Sequence, residues 1–517
     1  TLCSTLMSER PIPWGARITQ LAAQHPQRTA IITIPQDGSA HQTTTWRELE
    51  EDSNRAARLF ARHGLDADSL LVIGLGNGPD HLLAAIAAWK CGALVLPLSS
   101  RMPPPERDAI LSLAQPQLVV SEWGDLPYAN LSPAAIRSEL ANHSAETLPN
   151  WQTTCAHPGK AIGSGGSTGR PKIIVDPRPW EAIPGTLWYA ESTQFAPRQV
   201  HLLAGPLYHN SPFLMAHWGL FEDHTLILME RFAAALAADL IEQYRVQYAF
   251  LAPTMMARIA RLPDLAARNF SSFDAMYSTA APCPPWVKRA WIELLGAEKV
   301  YEILGASEGN GLTSIRGDEW LRKPGSVGRP LCNMRVRILD DDGCELPAGE
   351  VGEIFLHPGI DQATYEYIGS PPARSTADGF VSVGDLGWLD EDGFLFLADR
   401  RNDLIISGGA NIYPAEVEAV LSARRDITDV VVVGLPDEEW GKRVHAIIQP
   451  SDLGQPPAVP HLNEYCRRQL SAYKVPKSYE FIARMPRQES GKIRRSQLAQ
   501  ERETHCPAAI WVEQTTP

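Results

Sequence analysis

The chain has 517 residues, too many for one hydrophobic core, so two or more domains are expected. Apolar residues make up 44% and charged residues 21%, the balance of an ordinary globular enzyme. A formal charge of −13 argues against a nucleic-acid binder, which needs a basic face, yet leaves room for a phosphorylated small molecule held by a few local cations and dipoles.

Eight cysteines (Cys3, Cys91, Cys155, Cys283, Cys332, Cys344, Cys466 and Cys506) stand singly with no CxxC pair. That pattern is neither a zinc site nor a disulfide framework and predicts a reducing compartment. The opening "TLCSTLMSERPIPWG" shows no apolar leader core. The most membrane-like run, "HLLAAIAAWKCGALVLPL", is broken by Lys90, Gly92 and Pro97, which reads as a helix followed by a buried strand. A cytoplasmic protein without membrane insertion is the expectation.

Along the chain, "TTWRELEEDSNRAARLFARHGL" predicts a helix. Thr45 and Glu48 form a capping box, Leu49, Ala56 and Phe60 share a face, and Gly64 ends it. The apolar run "SLLVIGL" suits a strand buried on both faces. A helix over Pro79 to Lys90 and the strand "ALVLPL" complete a β-α-β unit, hence a parallel sheet. The alternation returns at "QVHLLAGPLYH", "HTLILM", "VQYAFLAP" and "FDAMYST". From about Asp318 to Asp399 the texture becomes short alternating strands with Gly, Pro and Asp turns, predicting antiparallel, barrel-like β structure. A fresh α/β pattern follows, with helices from Pro414 to Ala423 and around Leu462 to Leu470. The charged junction "ADRRNDLIISGG", which precedes both helices, sets the expected boundary near Arg400–Asp403.

The densest chemistry lies in "GSGGSTGRPKIIVD", Gly163 to Asp176. It has neither the P-loop spacing nor the GxGxxG of a dinucleotide fold, and by itself it reads equally well as a flexible surface loop. Downstream, however, come "LGASEG" (Leu304–Gly309), "VGDLGWLDEDG" (Val383–Gly393), "DRRNDLIISGGANIYPAEVE" (Asp399–Glu418) and "PRQESGKIRR" (Pro486–Arg495). In this order the five stretches resemble the core motifs of the adenylate-forming superfamily of acyl-CoA synthetases, peptide-synthetase adenylation domains and luciferases. "PLYHNSP", "FLAPTMMARI" and "SGGANIYPAEVE" resemble the bile-acid–CoA ligase-like branch, near which coronafacate ligase-like amide synthetases are placed.

The resemblance implies an α/β fold: a large domain of two parallel-rich sheets plus a β-barrel-like part (1–399), a hinge (400–403) and a small mobile α+β domain (404–517). It implies a ligase that joins a carboxylic acid to AMP, releasing pyrophosphate, and then passes the acyl group to CoA or to an amino acid amine. A relative that has lost efficient adenylation and acts on acyl-AMP is the remaining alternative. ATP, Mg²⁺ and, as acceptor, CoA are the expected small molecules.

The roles implied residue by residue follow the chemistry. Charge builds on phosphate oxygens during adenylation, so backbone N–H groups, hydroxyls, a lysine and Mg²⁺ are needed. Ser164, Gly165, Gly166, Ser167, Thr168, Gly169 and Lys172 would meet the β- and γ-phosphates. Glu308 would hold Mg²⁺, with Gly305, Ala306 and Ser307 beside it. Thr279, Ala280 and Ala281 of "STAAP" would lie against adenine. Asp385 would bind the ribose, and Arg400 ribose or phosphate. Lys492 in "SGKIRR" would bridge carboxylate and α-phosphate in the transition state. His209 in "YHNSP" would gate the second nucleophile beside the acyl pocket. After rotation of the small domain, Gly408 and Gly409 would replace Lys492 and shape an acceptor tunnel, near Trp440, Tyr473 and Lys477.

Some positions depart from the pattern. Gly165 stands where relatives usually carry Ser, and Asn402 holds a hinge position usually Asp or Lys. Thr279 replaces a small Gly that often floors the acyl pocket, while Leu304 and Ser307 replace the usual Tyr and Thr. The aromatic and apolar character of "AMYSTAAP" and "PLYHNSPF" predicts a hydrophobic acid.

Overall fold

The computed structural model describes residues 10–37, 39–165, 171–400, 403–407, 410–488, 491–504 and 511–512. Its first sheet runs, edge to edge, through Glu366–Ile368, Pro171–Asp176, Lys160–Gly165, Leu94–Pro97, Leu70–Gly74, Leu118–Ser121 and Asn130–Leu131. Leu70–Gly74 is buried throughout because it is parallel to both its neighbours and covered on both faces.

The second sheet is larger. Thr29–Ile34, Thr225–Met229, Val200–Leu203, Tyr248–Leu251, Ala275–Ser278 and Val300–Gly305 are parallel neighbours in that order. The antiparallel stretch expected after Asp318 continues this sheet rather than standing apart. Leu312–Arg316 pairs with Val300–Gly305, and Ser326–Pro330 then links Leu312–Arg316 to Leu395–Arg400.

Between the sheets lie Trp14–Gln24, Trp46–Arg62, Pro79–Lys90 and Asn210–Phe221, whose apolar faces share one core with both. The capping box is present: Glu48 N–H donates to Thr45 Oγ1 at 3.2 Å, and Thr45 N–H donates to Glu48 Oε2 at 2.8 Å. It satisfies two of the orphan donors at the start of the helix, a cap whose loss costs about 1 kcal/mol. On the far face of the large sheet, Ala234–Gln243, Pro253–Ala260 and Pro285–Leu295 close a second core.

The C-terminal part has cores of its own, drawn only from residues 405 to 499. Its sheet joins Ile427–Asp437, Gly441–Pro450, Ser478–Phe481 and Trp511–Val512. Helices Pro414–Ser422, Val459–Arg467 and Arg495–Thr504 contribute to those cores. No helix among the described residues is long and apolar enough to cross a membrane.

Candidate active site

The glycine motif is a hairpin. Lys160–Gly165 and Pro171–Asp176 are antiparallel, with Ser164 opposite Lys172 and Gly165 opposite Pro171. Gly166, Ser167, Thr168 and Gly169 lie outside the described residues, as do Asn402, Gly408 and Gly409. For Ser164, Gly165 and Arg400 the backbone is described.

Because strand side chains alternate, the residue at 172 leaves the hairpin on the side opposite Ile173. Lys172 Nζ lies 3.2 Å from Glu308 Oε1 and 3.9 Å from the centre of the Tyr367 ring. The Tyr367 hydroxyl donates to the same Glu308 oxygen at 2.6 Å. Glu308 is buried at the turn after Val300–Gly305, flanked by the half-buried Ala306 and Ser307. A carboxylate in that position is costly unless paired, and the lysine and phenol supply the pairing. Burial and the adjoining Glu308 push the Tyr367 phenol well up, so it stays a donor.

Tyr367 was not legible in the sequence. Its strand, Glu366–Ile368, has three residues and no readable periodicity, and it reaches the site only by pairing with Pro171–Asp176.

These groups fit Mg²⁺. A hard cation held mostly by water and phosphate needs one or two carboxylates, and Glu308 presents one beside the lysine of the phosphate hairpin. Among the described residues no three His, Cys, Asp or Glu side chains converge as a metal cage. Glu308 together with substrate phosphates is the arrangement available.

On the other wall, His209 caps helix Asn210–Phe221 in extended conformation. The loop carrying it is clamped by Asn77, which donates to the carbonyls of Gly205 and Met229 and accepts from Leu207 N–H. Burial, and then the charge of Lys492, push His209 down to about 3. It is therefore neutral, and its Nε2 is buried with no hydrogen-bond partner among the described residues. Behind it, Lys160 Nζ donates to Asn210 Oδ1 at 2.8 Å, and burial lowers this lysine to about 8.

The segment expected to lie against adenine follows Ala275–Ser278. Thr279 is half-buried, Ala280 and Ala281 are exposed, and Ala280 sits at φ 75°. A left-handed alanine is strained by roughly 1–2 kcal/mol, so its surroundings must hold it. They include Cys283, whose N–H reaches Glu302 Oε1 at 3.3 Å, while Glu302 Oε2 pairs with the fully buried Lys288 at 2.9 Å.

Asp385 and Arg400 stand directly opposite each other on neighbouring antiparallel strands. Two motifs fifteen residues apart in the chain are thus one local feature of the sheet.

Lys492, in the C-terminal part, lies near enough to His209 for its charge to help lower that histidine's pKa. The preceding Gly491 has φ 82°, and a Cβ there would come within 2.6 Å of Thr254 Oγ1. Only glycine suits both constraints. Trp440 is exposed at the hairpin before Gly441–Pro450, and the half-buried Lys477 precedes Ser478–Phe481. The structure does not bring Trp440 or Lys477 to Glu308 or His209 through any contact among the described residues.

The family model for AMP-binding enzymes matches residues 18–359, and that for the AMP-binding enzyme C-terminal domain matches residues 416–492. The chain belongs to the AMP-binding enzyme family. It is an ATP-dependent, AMP-forming ligase of the adenylate-forming superfamily. It is similar to the fatty acid–[acyl-carrier-protein] ligase ScoC of Streptomyces coeruleorubidus, 30% identical over 93% of this chain and 95% of that one. It is 31% identical to the uncharacterized acyl–CoA ligase YhfT of Bacillus subtilis, over 92% and 96% of the two chains. Among solved structures, the o-succinylbenzoate–CoA synthetase MenE of Bacillus subtilis with ATP and magnesium ion superposes with a TM-score of 0.77. It is 26% identical and covers 95% of this chain and 99% of that one.

Proposed function

We propose that this AMP-binding enzyme activates a hydrophobic carboxylic acid as its acyl-adenylate and transfers the acyl group to the thiol of CoA. The observation that carries this reading is the pairing of Lys172 on the glycine hairpin with the buried Glu308, 136 residues away, and the nearness of Lys492 to His209 supports it. The acid's carboxylate oxygen attacks the α-phosphorus and pyrophosphate leaves with the P–O bond electrons. Lys172 binds the departing phosphates. Lys492 neutralises charge on the carboxylate and α-phosphate oxygens. Glu308 would hold Mg²⁺, which when bound would supply charge neutralisation at the phosphate oxygens.

Asp385 and Arg400 take the ribose, and the Thr279–Ala281 segment the adenine face. Neutral His209 suits a gate beside the acyl pocket, since an imidazole with a pKa of about 3 keeps a single ring proton and no charge at neutral pH. In the second step the thiol sulfur attacks the acyl carbon and AMP leaves.

The small body beyond residue 403 turns about a hinge at 400–403, which removes Lys492 and admits Gly408 and Gly409. Trp440 and Lys477 belong to that acceptor-side arrangement. The similarity to ligases of CoA and of a carrier protein supports a thiol acceptor.

A pyrophosphate-release screen of carboxylic acids tests the first step. Product mass after adding CoA, or mixed amino acids, tests the second. An amide product with no thioester overturns the thiol reading, and release of pyrophosphate by no acid overturns the first step.

A further inference from the structure

One side chain of the large body grips the small one at a place no motif marks. Arg261 follows helix Pro253–Ala260, and its guanidinium lies 4.7 Å from the centre of the Trp286 ring, which fixes its direction. From there it donates to the carbonyl of Thr428 at 2.8 Å, of Ile427 at 2.9 Å and of Ser422 at 3.4 Å. Ser422 is the last residue of helix Pro414–Ser422, so the charge sits at the negative end of that helix.

The contact leads on to the catalytic loop. Asp429, next to Thr428, holds Arg487 through both carboxylate oxygens at 2.6 and 2.8 Å. Arg487 in turn donates to the carbonyl of Gly491 at 3.0 Å. Gln488 N–H closes the turn on the Lys492 carbonyl at 2.8 Å. An ion pair between the two bodies, Arg494 with Glu106 at 2.7 Å, has side chains 48% and 26% exposed and is correspondingly weak. The Arg261 fork meets only backbone oxygens, and burial at the contact lowers its pKa, Asp429 opposing that shift.

We propose that Arg261 is a positioning residue for adenylation: through Asp429, Arg487 and Gly491 it holds Lys492 in the cleft, and its release accompanies the turn to acyl transfer. This inference rests on the two-step reading above. A misplaced catalytic group loses rate steeply, so releasing the clamp should act on the first step alone.

The test uses the whole enzyme, the acid that releases most pyrophosphate in the screen, its synthetic acyl-adenylate, and CoA. Arg261→Ala is expected to lower kcat for pyrophosphate release about tenfold or more, with KM for ATP little changed. Transfer from acyl-adenylate to CoA should hold or rise. Arg261→Lys, which keeps the charge but loses the fork, should fall between. Asp429→Asn should act in the same direction, and the double variant should be no slower than the slower single one.

Equal loss in both half-reactions, or additive losses in the double variant, overturns the proposal. Lys492→Ala run alongside separates the two claims. If it abolishes adenylation while Arg261→Ala leaves it intact, the clamp is wrong and the mechanism stands. If neither affects adenylation, the mechanism itself falls.

Discussion

Lys172 and Glu308, 136 residues apart in the chain, meet at 3.2 Å in the cleft between the phosphate hairpin and the end of Val300–Gly305. On the proposed function the pair would join a phosphate-binding cation to a metal-binding anion, and replacing either residue alone strands the other's charge. Glu308→Gln is expected to raise the Mg²⁺ concentration needed for half-maximal pyrophosphate release and to lower the maximal rate by about 10²-fold. A magnesium titration of both proteins checks this, and an unchanged midpoint would remove the metal from Glu308.

Tyr367 separates two contributions to that pair. Tyr367→Phe keeps the ring beneath Lys172 and removes only the hydrogen bond to the carboxylate, a loss of about 1.5–3 kcal/mol. Tyr367→Leu removes both, so adenylation should fall further. Rates for the two variants in the same assay order them; equal rates would mean that the ring contributes nothing.

Lys492→Ala should cost pyrophosphate release about 10²–10³-fold while sparing transfer from synthetic acyl-adenylate, because its charge is needed only in the first transition state. Single-turnover measurements of each half-reaction check it. Equal losses would sink the assignment.

Asp385→Ala should weaken nucleotide binding in both half-reactions, since ATP and acyl-adenylate share the ribose. Calorimetry with ATP would read the change. An unaltered Kd would place the ribose elsewhere.

Buried histidines set an acid limit on the fold. Burial lowers His81 to about 4 and His217 and His224 to about 3. Each lies below its unfolded value near 6.5, so the unfolded chain binds more protons throughout the interval between them. The stability they contribute is complete above about pH 6.5 and is lost as pH falls toward 3–4, by about 2 kcal/mol per histidine at pH 5. Tm measured from pH 7.5 to 4.5 should drop steeply below 6.5. His217→Phe, which keeps a ring against Trp89, should flatten the curve.

What the sequence made legible was local. The helix Pro79–Lys90 and the Thr45 capping box follow from adjacent residues and appear as read. Val459–Arg467 begins three residues before the expected Leu462, because Pro460 is tolerated in the first turn instead of breaking it. The family motifs were legible because each is a run of special residues. Tyr367, Asn210, Lys160 and Arg261 were not, since each is a lone side chain whose meaning depends on a partner 50 to 167 residues away.

The hydrogen bonds of Arg261 to the small body go, among the described residues, to three carbonyl oxygens. Its grip is therefore blind to sequence there. Ser422 and Thr428 can change identity without touching these bonds, whereas Ile427 is fixed by its burial in the core of the small body, and a small body grafted from a divergent relative would still dock if its backbone kept this turn. An inserted or deleted residue between Leu421 and Asp429 would do what replacing the Ser422 or Thr428 side chain does not: it would move the oxygens themselves and unlatch the lysine loop from a distance.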